Sequence, residues 1–188
     1  MSLGILWVVL IYGWIGMEVL ISLGTRTRRS QGTLHDRGTQ ILIWVVIVSS
    51  FFAAGWFALP GADMKFNHEI LRMTGLVLII AGLVVRILAI VTLGRSFSAN
   101  VAIRPTQTIQ RKGLYRIVRH PSYLGMEIIF VAAGLHTHNW ISLAILLVFP
   151  TAAVLYRIQV EESALMGAFG GEYVDYMRTT KRLIPGVY

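Results

Sequence analysis

The chain has 188 residues, 55% hydrophobic and only 14% charged, with no cysteine and a formal net charge of +8. Soluble domains carry about a quarter charged residues, so this is the composition of a membrane protein. The absence of cysteine excludes disulfides, thiolate metal sites, iron–sulfur clusters and cysteine nucleophiles.

Long apolar blocks predict transmembrane helices. The first covers residues 3–23 and carries Trp7, Tyr12, Trp14 and Glu18. It is too long, and followed by too many similar blocks, for a cleaved signal peptide. A polar loop follows, with Arg26, Arg28, Arg29 and Arg37 among Gly24, Gly32 and Gly38. The second span, 40–59, ends at Pro60-Gly61, and a nearly neutral loop leads to a third span, 69–93, interrupted by Arg72 and Arg86. A basic connector, 94–120, carries Arg95, Arg104, Arg111, Lys112 and Arg116. The fourth block, 121–136, is short for a hydrocarbon core about 30 Å thick. His136-Thr137-His138-Asn139 makes a tight turn, and the fifth helix runs over 140–162. A short amphipathic helix is expected at about 171–180, with Tyr173, Tyr176 and Met177 on one face, lying at the membrane interface. The prediction is an all-α integral membrane protein of one domain with five transmembrane helices.

The loops at 24–39 and 94–120 and the tail after 157 are basic; those at 60–69 and 136–139 are not. The positive-inside rule then places the N-terminus outside and the connector and tail in the cytoplasm. The same placement of charge explains the +8 without nucleic acid.

Glu18, Arg86 and Glu127 lie inside apolar blocks, where an ionised group is expensive and normally paired or functional; Arg86 could pair with Glu127 or Glu18. His136 and His138 lack a third ligand and read as a solvated loop, so no metal is expected. Arg111 and Arg116 suit lipid phosphates. Pro121 fits the first turn of a helix and forces Arg119-His120 into extended backbone. The N–H groups after Pro121 offer a positive helix end to an anionic group. Arg157 and Glu161 are four apart and share a helix face, and the hairpin of the fourth and fifth helices returns them beside His120 and Tyr123. This corner offers an acceptor for an amine and donors for a carboxylate, as an amino-acid-like moiety needs. A surface Arg–Glu pair is the competing reading.

The series Gly113-x-Tyr115-x-x-x-Arg119-His120-Pro121-x-Tyr123-x-Gly125, then Arg157-x-x-x-Glu161-Glu162, Phe169-Gly170-x-Glu172-Tyr173 and Arg182-Leu183-Ile184-Pro185, resembles the isoprenylcysteine carboxyl methyltransferase family. The resemblance covers the C-terminal half in register. It implies S-adenosylmethionine as cofactor, S-adenosylhomocysteine as product, and a pocket formed by the connector, the helix 4–5 hairpin and the C-terminal helix. Residue by residue it implies that Gln107, Thr108, Ile109 and Gln110 line the cofactor, with Tyr115 packed near it. His120, Pro121, Ser122 and Tyr123 form the fourth-helix wall, Glu161 holds the cofactor's amino group, and Arg157 faces the methyl acceptor. The acceptor would be lipophilic and enter from the bilayer, most simply the carboxylate of an isoprenylcysteine-like molecule, which needs no general base. A thiol or amine acceptor would need one, with His120 or Glu127 as candidates.

The short N-terminal part resembles compact prokaryotic members in an inner membrane, whose acceptor could be another lipid-like acid, thiol or amine. Two alternatives share part of the pattern: an NADPH-dependent sterol or enone reductase, suggested by Arg182-Leu-Ile-Pro-Gly-Val-Tyr188, and a phospholipid N-methyltransferase.

Overall fold

The computed structural model describes residues 3–25, 33–34, 38–103 and 107–188, with backbone alone at 33–34 and Arg95. Gly32 and the loop bases Arg26, Arg28, Arg29, Arg37 and Arg104 lie outside the described residues. The described helices are α1 (Leu3–Gly24), α2 (Thr39–Trp56), α3 (His68–Leu93), α4 (Pro121–His136), α5 (Trp140–Phe169) and α6 (Gly171–Thr179). A two-residue antiparallel pair, β1 (Thr33–Leu34) and β2 (Ala102–Ile103), sets Thr33 opposite Ile103.

Local chemistry marks the helix ends. The Asn67 side chain accepts the N–H groups of Glu69 (2.8 Å) and Ile70 (3.3 Å) to start α3. Asn139 does the same for Ile141 and Ser142 at the start of α5, relieving orphan donors. Gly94 and Gly170 stop α3 and α5 at φ 53°, a conformation glycine adopts without a Cβ penalty. α5 therefore extends well past the expected residue 162: Glu161 and Glu162 sit within a helix that ends only at Gly170.

Among the described residues, α1, α2, α3 and α5 are long and apolar enough to cross a membrane. The fifth expected crossing, α4, is formed but has 16 residues, about 24 Å of helix. It packs between α3 and α5, with Ile129, Phe130 and Ala132 fully buried. Small residues allow these close approaches: Gly82 of α3 faces Gly125 of α4, and Gly134 of α4 faces Leu143 of α5. The Ser142 hydroxyl donates to Ala54 O (2.7 Å), tying α5 to α2. Val45, Phe52, Val77, Ile80 and Val148 point outward, as side chains facing lipid do.

At the end opposite the connector, the histidine turn is packed. His136 stacks on Trp7 (ring centroids 3.9 Å apart), and His138 stacks on His68 (4.6 Å). This corrects the solvated-loop expectation: flat imidazoles cover apolar and aromatic surface. No metal-ligating group of three appears among the described residues.

Candidate functional site

The connector folds back over the end of α3. Gln110 Nε2 donates to Thr92 O (2.9 Å), and the Tyr115 hydroxyl reaches Ala89 O (3.4 Å). Its last residues run beside the tail: Arg119 N–H donates to Lys181 O, His120 N–H to Arg182 O, and Lys181 N–H to Ile117 O. This pairing holds Arg119-His120 extended before Pro121 opens α4. The Tyr123 and Leu124 N–H groups both donate to His120 O at 3.1 Å. Those two positions of the helix start are thus satisfied within the chain, and the anion-binding helix end foreseen from the sequence is correspondingly reduced.

A cavity of about 610 Å³ lies against this corner, within the range of about 300–1,000 Å³ common for small-molecule sites. Gln107, Thr108, Ile109, Gln110, Tyr115, His120, Ser122, Tyr123, Arg157 and Glu161 all line it. Pro121 does not; it is buried behind the wall. The lining has two halves. The polar one comes from the connector, the start of α4 and the end of α5; the other is apolar, with Trp7, Ile11 and Trp14 of α1 facing Ile47 and Phe51 of α2.

Three polar clusters order the walls. In the first, Arg157 Nε–H donates to the Tyr123 oxygen (2.7 Å), and the Tyr123 O–H donates to Glu161 Oε2 (3.0 Å). Arg157 also donates to Thr39 Oγ1 (3.1 Å) and to Ala99 O, so its guanidinium is held from α2, α4 and the connector.

In the second, Glu162 turns away from Glu161 into the protein. It accepts from Arg119 Nε (2.9 Å) and Arg182 Nη2 (2.8 Å) and lies 3.3 Å from His120 Nε2. Arg119 further donates to Met177 O and Thr180 O, closing the end of α6. The third joins α1 to the bundle: Arg86 donates to both oxygens of Glu18 and to Ser122 Oγ (2.7 Å), while Trp14 Nε1 donates to Glu18. Glu18 is thus the partner of Arg86. Glu127 instead accepts from Thr151 (2.6 Å).

α6, which the resemblance put in the pocket and the residues alone put at the membrane interface, contributes wall. Tyr173 and Tyr176 are buried and line the cavity, and the Tyr176 hydroxyl donates to Tyr115 O (2.7 Å). Arg111, expected at lipid phosphates, reaches Glu172 (3.3 Å) and lies over the Tyr176 ring. The signal was available: tyrosines three apart share a helix face. Burial raises the Tyr115 and Tyr173 phenols above the ordinary range and pushes Tyr176 up to about 12, so these hydroxyls keep their protons.

Among the described residues two acids line the cavity, Glu18 and Glu161. Glu18 is matched by Arg86, whereas Glu161 has no arginine or lysine within ion-pair distance among the described residues and is partly open. An open carboxylate of this kind can accept hydrogen bonds from an ammonium group.

Fold and site define a membrane-embedded helical bundle with a ligand cavity that is polar at one end and apolar at the other. The chain matches the isoprenylcysteine carboxyl methyltransferase (ICMT) family over residues 73–167 and belongs to that family. It is 36% identical over 123 residues to protein-S-isoprenylcysteine O-methyltransferase B of Arabidopsis thaliana, covering 64% of this chain and 62% of that protein. It is 30% identical over 164 residues to the Dictyostelium discoideum enzyme, covering 85% and 66%. Methanethiol S-methyltransferase 2 of Bradyrhizobium diazoefficiens is 36% identical over 94 residues, covering 48% and 35%. A solved structure of the eukaryotic intramembrane Ras methyltransferase ICMT superposes with TM-score 0.61 at 28% identity, covering 78% of this chain and 52% of that one. The chain spans about three fifths of the plant relatives' length. Its relatives here are mostly eukaryotic, so the expectation of a prokaryotic source gains no support.

Proposed function

We propose that this chain is an S-adenosylmethionine-dependent methyltransferase acting at the membrane on a lipophilic acceptor, in the first place the carboxylate of an isoprenylcysteine-like molecule. The observation that carries the reading is the Arg157–Tyr123–Glu161 relay at the junction of a polar and an apolar cavity half. S-adenosylmethionine, when bound, supplies an electrophilic methyl group. Glu161 accepts from its ammonium. The 107–110 backbone, Tyr115, His120, Ser122 and Tyr123 form the wall, with Pro121 supporting it from behind. Arg157 directs N–H groups at the acceptor carboxylate, and the apolar half takes the lipid chain and excludes water. A carboxylate is already ionised at neutral pH, so in-line transfer asks for positioning and desolvation rather than a base.

The α4 helix crosses the bilayer with the other four. Its start lies with the end of α3 and its end with the 60–64 loop, where Met64 N–H donates to His138 O and Trp140 N–H to Ala62 O. The basic loops set the cofactor corner in the cytoplasm and the N-terminus outside. A thiol acceptor is the second reading, favoured by the likeness to a methanethiol S-methyltransferase. The reductase and phospholipid N-methyltransferase readings gain no support from these relatives.

The test is calorimetric titration of the detergent-purified protein with S-adenosylhomocysteine and with NADPH. Saturable binding of the first, lost in Glu161→Ala, is expected, and Arg157→Ala should retain affinity but lose turnover. Binding of NADPH alone overturns the reading.

A further inference from the structure

Glu162 is next to Glu161 in sequence but does a different job. Its carboxylate is 3% exposed and flanked by the guanidinium groups of Arg119 and Arg182. A carboxylate so placed only accepts hydrogen bonds, so the imidazole nitrogen facing it at 3.3 Å, His120 Nε2, carries the hydrogen. The tautomer of a histidine is set by the bond its other nitrogen makes. In the neutral ring the lone pair then falls on Nδ1, which lies 3.9 Å from Glu161 Oε2 at the edge of the cavity. A carboxylate oxygen and an imidazole lone pair 3.9 Å apart can share a single group bearing several N–H donors.

We propose that Glu162 is a positioning residue that presents His120 Nδ1, beside Glu161, as a second acceptor for the α-ammonium of the cofactor. The inference rests on the S-adenosylmethionine reading above and adds to it: the ammonium is gripped by a carboxylate and an imidazole lone pair together, and the imidazole is aimed by a carboxylate that never touches the ligand. The groups around His120 agree. Glu161 and Glu162 come from α5, Arg119 from the connector, Arg182 from the tail and Tyr123 from α4. The two arginines are spent on Glu162, and the Tyr123 hydroxyl on Glu161.

The experiment compares S-adenosylhomocysteine with its analogue in which hydrogen replaces the amino group, by calorimetry on the whole detergent-solubilised protein. In the unaltered protein, removing the amino group should weaken binding about tenfold or more, the scale of a hydrogen bond to a charged group. In His120→Gln, whose amide mimics Nε2 but not Nδ1, that loss should shrink to a few fold. His120→Asn, which places an acceptor near Nδ1, should keep more of it. Glu162→Gln should shrink it as well, and if that variant fails to fold, the His120 pair still decides. A nitrogen-15 spectrum of the histidine rings gives a readout independent of binding: the unprotonated nitrogen of His120 is expected at Nδ1. An amino-group contribution equal in the unaltered protein and His120→Gln, or a hydrogen found on Nδ1, overturns the proposal. Failure of the unaltered protein to bind S-adenosylhomocysteine at all instead overturns the cofactor reading on which it rests.

Discussion

Gly82 and Gly125 meet backbone to backbone: a Cβ on either would stand 2.7 Å from the other's carbonyl oxygen. A Cβ on Gly125 would also lie 2.8 Å from the Arg86 nitrogen, so this contact seats Arg86 as well as the two helices. Gly125→Ala and Gly82→Ala should each lower stability by about 1–3 kcal/mol, the usual cost of overpacking. Thermal unfolding in detergent checks this, with Gly13→Ala as the control, since nothing lies within 4 Å of a Cβ there.

Glu18 and Arg86 are both buried and hold α1 to α3 and α4. Removing one partner of such a pair strands the other charge, at a cost of about 3–5 kcal/mol. Arg86→Met alone should therefore unfold early in a detergent melt, and adding Glu18→Leu should recover most of the loss. A double variant no more stable than Arg86→Met would mean that the pair's role is not charge compensation.

Tyr123→Phe deletes the single oxygen that both Arg157 and Glu161 contact. The ring still fills its place, so the variant should purify normally. Loss of a charge-assisted bond at each end should lower both S-adenosylhomocysteine affinity and methyl transfer about tenfold. Calorimetry and a radiolabelled methyl-transfer assay separate the two effects.

Alkaline pH should loosen the corner built by α6 and the connector. Tyr115, Tyr173 and Tyr176 are buried with raised pKa values, Tyr176 at about 12, chiefly through burial. Above pH 10 the unfolded chain loses these protons while the folded one keeps them. The unfolded state then binds fewer protons, and stability falls as pH rises, by up to about 1.4 kcal/mol per pH unit for each tyrosine. For Tyr176 the fall runs between pH 10 and about 12; below pH 10 these groups contribute no slope. Phenolate absorbance followed alongside a thermal melt tests both sign and window.

Much of this was legible in the residues. Apolar blocks gave the long helices because hydrocarbon demands uninterrupted runs, and Pro121 gave the start of α4 because the first turn of a helix tolerates its missing N–H. The four-residue step from Arg157 to Glu161 put both on the cavity wall. Other features needed the third dimension. Spacing could not choose between Glu18 and Glu127 as the partner of Arg86, since helix rotation decides it. Glu161 and Glu162 look alike in sequence, yet the 100° between successive helical residues sends one to the cavity and the other to Arg119 and Arg182. The residues alone put α6 at the membrane interface, because tyrosines suit an interface and a buried wall equally well, and only the resemblance put it in the pocket.

The bridge between Val118 and Lys181 has a consequence for the order of events during synthesis. All of α4, α5 and α6 lies between its two ends, so the contact joins distant parts of the chain, the kind that forms late. A nascent chain halted before Lys181 can carry every long helix yet lacks the carbonyl that receives the His120 N–H and the guanidinium that completes the Glu162 cluster. Ligand competence should therefore arrive on the ribosome after membrane insertion, as a separate and final step.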